Sequence, residues 1–173
     1  MKENAREYIL LMLQRTAPFF VSLFFIFFEH ILLNSDISNV RPMFGFICVF
    51  FWVFNRPDIF NLFSVALLGV FCDFLNYTPM GTYLLGFLLF YLMETKISKY
   101  ISNKYFVVNF IAFSILLLMV TIAQWVILCI YYKAIIPFIP SFISWILTIC
   151  FYPLISAVNL KISAVVLPEE DFE

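Results

Sequence analysis

Three side chains in this sequence could move protons or hold ions, and all three sit where charge is costly. Asp73 lies inside the apolar stretch of residues 65–93, and Glu29 and His30 lie near the end of an earlier one. A carboxylate in an apolar run of helix length needs a partner or a task. Acid–base catalysis and ion relay both need several such groups within reach of one another. The sequence offers no nucleophile beside a base, no phosphate-binding loop, and no GxGxxG among its four glycines. Cys48, Cys72, Cys129 and Cys150 stand singly in apolar runs, with no CxxC pair and one histidine in the chain. They read as small core residues rather than disulfide partners or metal ligands. The expectation is a protein that is not an enzyme and has neither cofactor nor metal site.

What remains for Asp73 is a positional role. Taken as a helix, Ala66, Gly69, Asp73 and Asn76 follow a 3, 4, 3 spacing and share one face, small toward one end and polar toward the other. Asn76-Tyr77-Thr78-Pro79 is turn chemistry, with Thr78 expected to cap the next helix and Pro79 to take its first position. The run that follows carries Gly81, Thr82 and Gly86. With the turn near Tyr77, Gly69 (eight residues before) and Gly86 (nine after) are expected at the same depth of an antiparallel pair, so that two backbones touch. Asp73 is expected to pin the pair through hydrogen bonds to the turn amides and Thr82. Asp73, Gly69, Asn76, Gly81, Thr82 and Gly86 form the candidate set for helix packing or partner binding.

The elements that position this set lie in lipid. Hydrophobic residues make up 64% of the chain and charged residues 12%, and mean hydropathy is +1.02. A soluble domain has roughly 45–50% and about 25%. The 173 residues read as one all-α integral membrane domain. An amphipathic lead (1–15) lies at the membrane surface, spans follow at about 18–33, 40–54, 59–75, 79–93, 105–130 and 141–160, and residues 161–173 form an acidic tail. The second run proper, 42–54, covers ~20 Å against a hydrocarbon core of ~30 Å. It either recruits residues 37–40 or does not fully cross; such short runs suit a packed bundle. For six crossings, eight Lys and Arg fall on one side and two on the other, putting both termini in the cytoplasm and the turn 76–78 on the outer side. The loop 94–104 holds Lys96, Lys99 and Lys104. Glu29 and His30 read as a solvated rim, and Gln124 as a helix-to-helix hydrogen bond. Trp52, Trp125 and Trp145 read as interface anchors, and most of the 24 phenylalanines as lipid-facing bulk. A net charge of −1 does not favour nucleic acid.

In order, the features are Arg41-Pro42 opening a short run that ends near Trp52, a prolyl turn at Pro57, and G-x-x-x-D (Gly69, Asp73) closing the third run. A polar turn, Gly81 eight residues beyond the aspartate, and a last run holding Pro153 complete them. This ordered set resembles the rod shape-determining protein MreD family, well over residues 41–93 and elsewhere by length and hydropathy. Tyr77 stands where the family commonly has glycine, and the acidic end departs from the basic one of many members. The resemblance implies a polytopic six-helix transmembrane bundle similar to the substrate-binding subunits of energy-coupling-factor transporters. It also implies a non-enzymatic inner-membrane scaffold of the cell-wall elongation complex. Its partner is MreC, and through MreC it works with MreB, a RodA-type glycosyltransferase and a class B transpeptidase. An outer-side hollow near Asp73 would receive the partner's membrane helix or membrane-proximal segment. The alternative is a substrate-capturing membrane subunit of a vitamin transporter; a small channel, which needs a polar stripe over several helices, ranks last.

Overall fold

The computed structural model describes residues 2–32, 40–55, 57, 59–98 and 106–166, with side chains described from residue 15 onward except at 32 and 166. The amphipathic pattern of the lead, the loop 33–39, Arg56 and Asp58, Lys99 and Lys104, and the acid-rich end lie outside what is described. Six helices and no strand occur among the described residues: α1 (Lys2–Leu32), α2 (Phe44–Asn55), α3 (Leu62–Leu75), α4 (Thr82–Ile97), α5 (Phe106–Tyr132) and α6 (Ile139–Val166). Two of them, α5 and α6, are long and apolar enough to cross a membrane.

The lead and the first apolar run form a single 31-residue helix, with Pro18 inside it. Pro18 lacks the N–H of an interior turn, and the Ser22 hydroxyl donates to its carbonyl at 2.8 Å.

Helix α2 is the axis of the bundle. Every residue from Phe44 to Val53 is buried, and α1, α4 and α6 pack around it, while α3 joins α1 to α4 and α5 joins α4 to α6. Its 12 residues rise only about 18 Å at ~1.5 Å per residue. A helix apolar on all sides is stable only when enclosed, which is why so short a run can sit at the centre. The phenylalanines follow the same logic. Phe46 stacks on Phe87 at 4.2 Å, and Phe50, Phe90 and Phe113 meet edge to face, with Tyr152 stacked on Phe113 at 4.6 Å. Phe50 and the others are therefore core rather than lipid-facing bulk, although Phe20, Phe24, Phe63, Phe74 and Phe106 do lie on the surface. Trp52 is not an interface anchor: it is 0% exposed, because α2 has no surface on which to place it. Trp125 and Trp145 are partly buried, and their indole N–H groups donate to Ile136 and Ser114 carbonyls.

Candidate functional site

Helix α3 begins on a cap of its own, Asn61, whose side chain accepts from the Ser64 amide at 3.1 Å. Helix α4 does not. It starts at Thr82 after Gly81, which has φ +107° and makes no side-chain cap. Thr78 and Pro79 therefore do not open the helix as the turn chemistry suggested. The first amides of a helix need acceptors, and here they come from the preceding helix. Asp73 Oδ2 accepts from the amides of Gly81 (2.8 Å) and Leu84 (3.2 Å). Its Oδ1 accepts from the Tyr83 amide (2.7 Å) and the Thr78 hydroxyl (3.0 Å). Both oxygens are filled, the carboxylate is 3% exposed, and it faces the positive end of the α4 dipole. Such charge-assisted bonds are stronger than neutral ones. Once Asp73 serves this end, a Thr78 cap is redundant, and the Thr78 hydroxyl becomes another donor to the same acid. The Thr82 hydroxyl turns away, donating to the Pro79 carbonyl.

Gly81 is the residue this geometry demands: a Cβ there would meet nothing within 4 Å, but φ +107° is open to glycine and strained for other residues. Gly69 serves close approach. A Cβ on it would lie 2.7 Å from Leu84 Cα and 3.3 Å from the Tyr83 carbonyl oxygen, so the two backbones are in contact. Gly86 is not its counterpart. It faces α5, where a Cβ would lie 2.5 Å from Gln124 Nε2. Because α4 starts three residues later than the turn chemistry implied, the level of Gly69 is taken by Leu84. Gln124 packs on Gly86, yet its Nε2 has no hydrogen-bond partner, so the helix-to-helix bond expected of it is not made.

A second acid does for α2 what Asp73 does for α4. Glu29 of α1 accepts from the Phe44 amide at 2.9 Å. Nearby, the Arg41 and Met43 amides donate to Ser144 and Thr148 of α6. Glu29 and His30 are both half-buried, and what the rim reading misses is the cap that Glu29 supplies. The signal that could have revealed it is that α2 has no capping residue of its own, only Pro42-Met43 before Phe44. Between the two acid-capped hairpins stands Arg41, 3.4 Å from both His30 Nδ1 and Asn76 Oδ1. The Asn76 side chain also donates to the Cys72 carbonyl at 2.9 Å. Glu29, His30 and Asn76 line a pocket with Ile26, Met43, Phe46, Tyr83 and Phe87, a cavity of about 10 Å³, enough for a single water. No group of three or more His, Cys, Asp or Glu arranged to hold a metal occurs among the described residues.

The arrangement is a brace. Two carboxylates, each spent on the first amides of the next helix, fix these ends of α1–α4 against one another. The outer surface of the α3–α4 hairpin stays open: Phe74 is 72% exposed, Tyr77 91% and Met80 82%.

Comparison with known proteins adds a family. The family model described as rod shape-determining protein MreD matches residues 11–161. No curated protein and no solved structure compared with the chain matches it.

Proposed function

This chain belongs to the rod shape-determining protein MreD family, and on that premise we propose that it is a non-enzymatic scaffold of the cell-wall elongation complex that docks MreC. The family gives the coarser part: a membrane protein with a role in rod-shape determination. The finer reading is that all six helices lie in the inner membrane with both termini cytoplasmic, following the eight-to-two distribution of Lys and Arg. MreC then meets the outer end of the α3–α4 hairpin, and through it the protein helps couple MreB to a RodA-type glycosyltransferase and a class B transpeptidase.

The observation that carries the docking site is the pairing of a braced interior with an open exterior. Asp73, Gly69, Gly81 and Leu84 lock the hairpin, and Phe74, Tyr77 and Met80 project from it. Lipid gives membrane helices little hydrophobic drive to associate, so affinity comes from a fixed surface of matching shape. In this reading Asp73, Gly69, Asn76, Gly81, Thr82 and Gly86 act from inside, by holding that surface, rather than by touching MreC. The pocket among α1–α4 weighs against the vitamin-capture alternative, since a captured small molecule needs roughly 300–1,000 Å³. The larger cleft, of about 320 Å³, beside Trp125, Cys129, Lys133 and Ile135 is open to the surface rather than enclosing.

Co-purification of MreC tests the reading. Gly69→Leu and Asp73→Leu are expected to insert into the membrane yet lose MreC, and Phe74→Ala to lose it with the hairpin intact. Undiminished MreC with all three would overturn the site.

A further inference from the structure

Glu94 takes no part in the braced hairpins. It lies on α4 one turn beyond Phe90, is 1% exposed, and neither of its carboxyl oxygens has a hydrogen-bond partner. Across from it, α5 runs antiparallel to α4: Gly86 faces Gln124 and Phe90 faces Phe113, ring centres 6.1 Å apart. Glu94 follows Gly86 and Phe90 at four-residue spacing, so it lies on the face of α4 that packs on α5. A buried carboxyl thus sits in that contact with no hydrogen-bond donor among the described residues.

Buried polar groups without partners are rare enough that each needs a reason, and an ionised carboxylate sealed from water with no donor is the most costly kind. A proton on the carboxyl removes that charge. We propose that Glu94 is a proton-binding site: its carboxyl takes a proton from the aqueous phase at the C-terminal end of α4 and, once neutral, lets α4 and α5 close over it. Release of the proton leaves a carboxylate with no donor inside, so the ends of α4 and α5 separate until water reaches the acid. The bundle thereby carries a pH-dependent joint next to a connecting sequence that contains Lys99 and Lys104.

Among the described residues, few other groups on the surrounding elements titrate. Tyr152 of α6 faces Glu94, close enough to feel its charge, and is itself hydrogen-bonded to Ser156; Lys161 of α6 is exposed. The one titratable group of α2, Cys48, is engaged by Asn159. Those of α3 (Cys72, Asp73) and of α5 (Cys129, Tyr131, Tyr132) lie toward the opposite end. On α4 itself, Tyr91 and Lys96 are three residues before and two after Glu94, Tyr83 three turns away. The joint is independent of MreC docking.

The test uses the full chain in phospholipid nanodiscs. A hydrophobic carbodiimide adds to a protonated, membrane-buried carboxyl, and the resulting acylurea is read by mass spectrometry. The expected result is modification at Glu94 at neutral pH, declining as pH rises, and its loss in Glu94→Gln. In parallel, spin labels at the exposed positions 92 and 107, with the accessible Cys129 and Cys150 replaced by serine, report the α4–α5 separation. The wild type is expected to widen on alkalinisation. Glu94→Gln, which carries no charge at any pH, is expected to stay closed. A Glu94 that never reacts, a Glu94→Gln variant that widens like the wild type, or a separation that follows sodium concentration at fixed pH would each overturn the proposal.

Discussion

Replacing Asp73 by alanine removes the acceptor of four donors at once. Thr78 and Gly81 lie beside the exposed tip of the hairpin, where Tyr77 and Met80 are 91% and 82% exposed, so water can take over their bonds. The amides of Tyr83 and Leu84 lie deeper, and Leu84 is pressed against Gly69. Each buried donor left without an acceptor costs about 1–3 kcal/mol, so the loss is about 2–6 kcal/mol, a large part of the ~5–15 kcal/mol that holds a domain folded. Asparagine at 73 keeps one oxygen and points an N–H₂ at the other pair of donors, so Asp73→Asn is expected to cost about half as much, roughly 1–3 kcal/mol on the same basis. Asn61→Ala is an internal yardstick, since it removes one exposed cap from α3 and should cost about 1 kcal/mol. Unfolding in mixed micelles of rising denaturing-detergent fraction gives the three values. Maleimide labelling of Cys72, buried next to Asp73, reports local opening of the hairpin. If Asp73→Ala costs no more than Asn61→Ala, the carboxylate is not what holds α4 on α3.

Gly69→Ala puts a methyl 2.7 Å from a backbone carbon that cannot swing aside. It is expected to cost about 1–3 kcal/mol as an overpacked contact, seen as a lower unfolding midpoint, whereas Gly86→Ala, which meets only the end of the Gln124 side chain, should cost clearly less. Glu29→Ala strips the Phe44 amide of its acceptor and is expected to cost about 1–3 kcal/mol. Backbone hydrogen exchange at the start of α2 should rise in that variant while exchange at the start of α4 does not.

The hairpin was largely legible because its information is local. The 3, 4, 3 stripe from Ala66 to Asn76 and the turn residues beside it place Asp73 against the next helix within eleven residues of its farthest partner, Leu84. The exact start of α4 was not legible: Pro79 is a good first residue in isolation, and only the geometry of Asp73 moves the start to Thr82. The remaining misreadings share another cause. Trp52 and Glu29 both sit near the ends of runs, where a sequence suggests access to the interface. Whether a run end is exposed depends on which helices enclose it, and that is fixed by contacts such as Asn159 with Cys48, 111 residues apart. Composition indicated an apolar medium but could not show that α2 is enclosed by protein, with its phenylalanines turned inward.

A photoreactive residue at the hairpin surface in living cells tests the central claim most directly. Positions 74 and 80 project from the braced hairpin, while position 115 is 56% exposed on α5, a helix that packs chiefly on α4 and α6. The account predicts an adduct with MreC from positions 74 and 80 and little from 115, with the adduct at 80 lost when Asp73 is also replaced by leucine. Adducts with lipid alone at 74 and 80, or an MreC adduct of equal yield from 115, would contradict it.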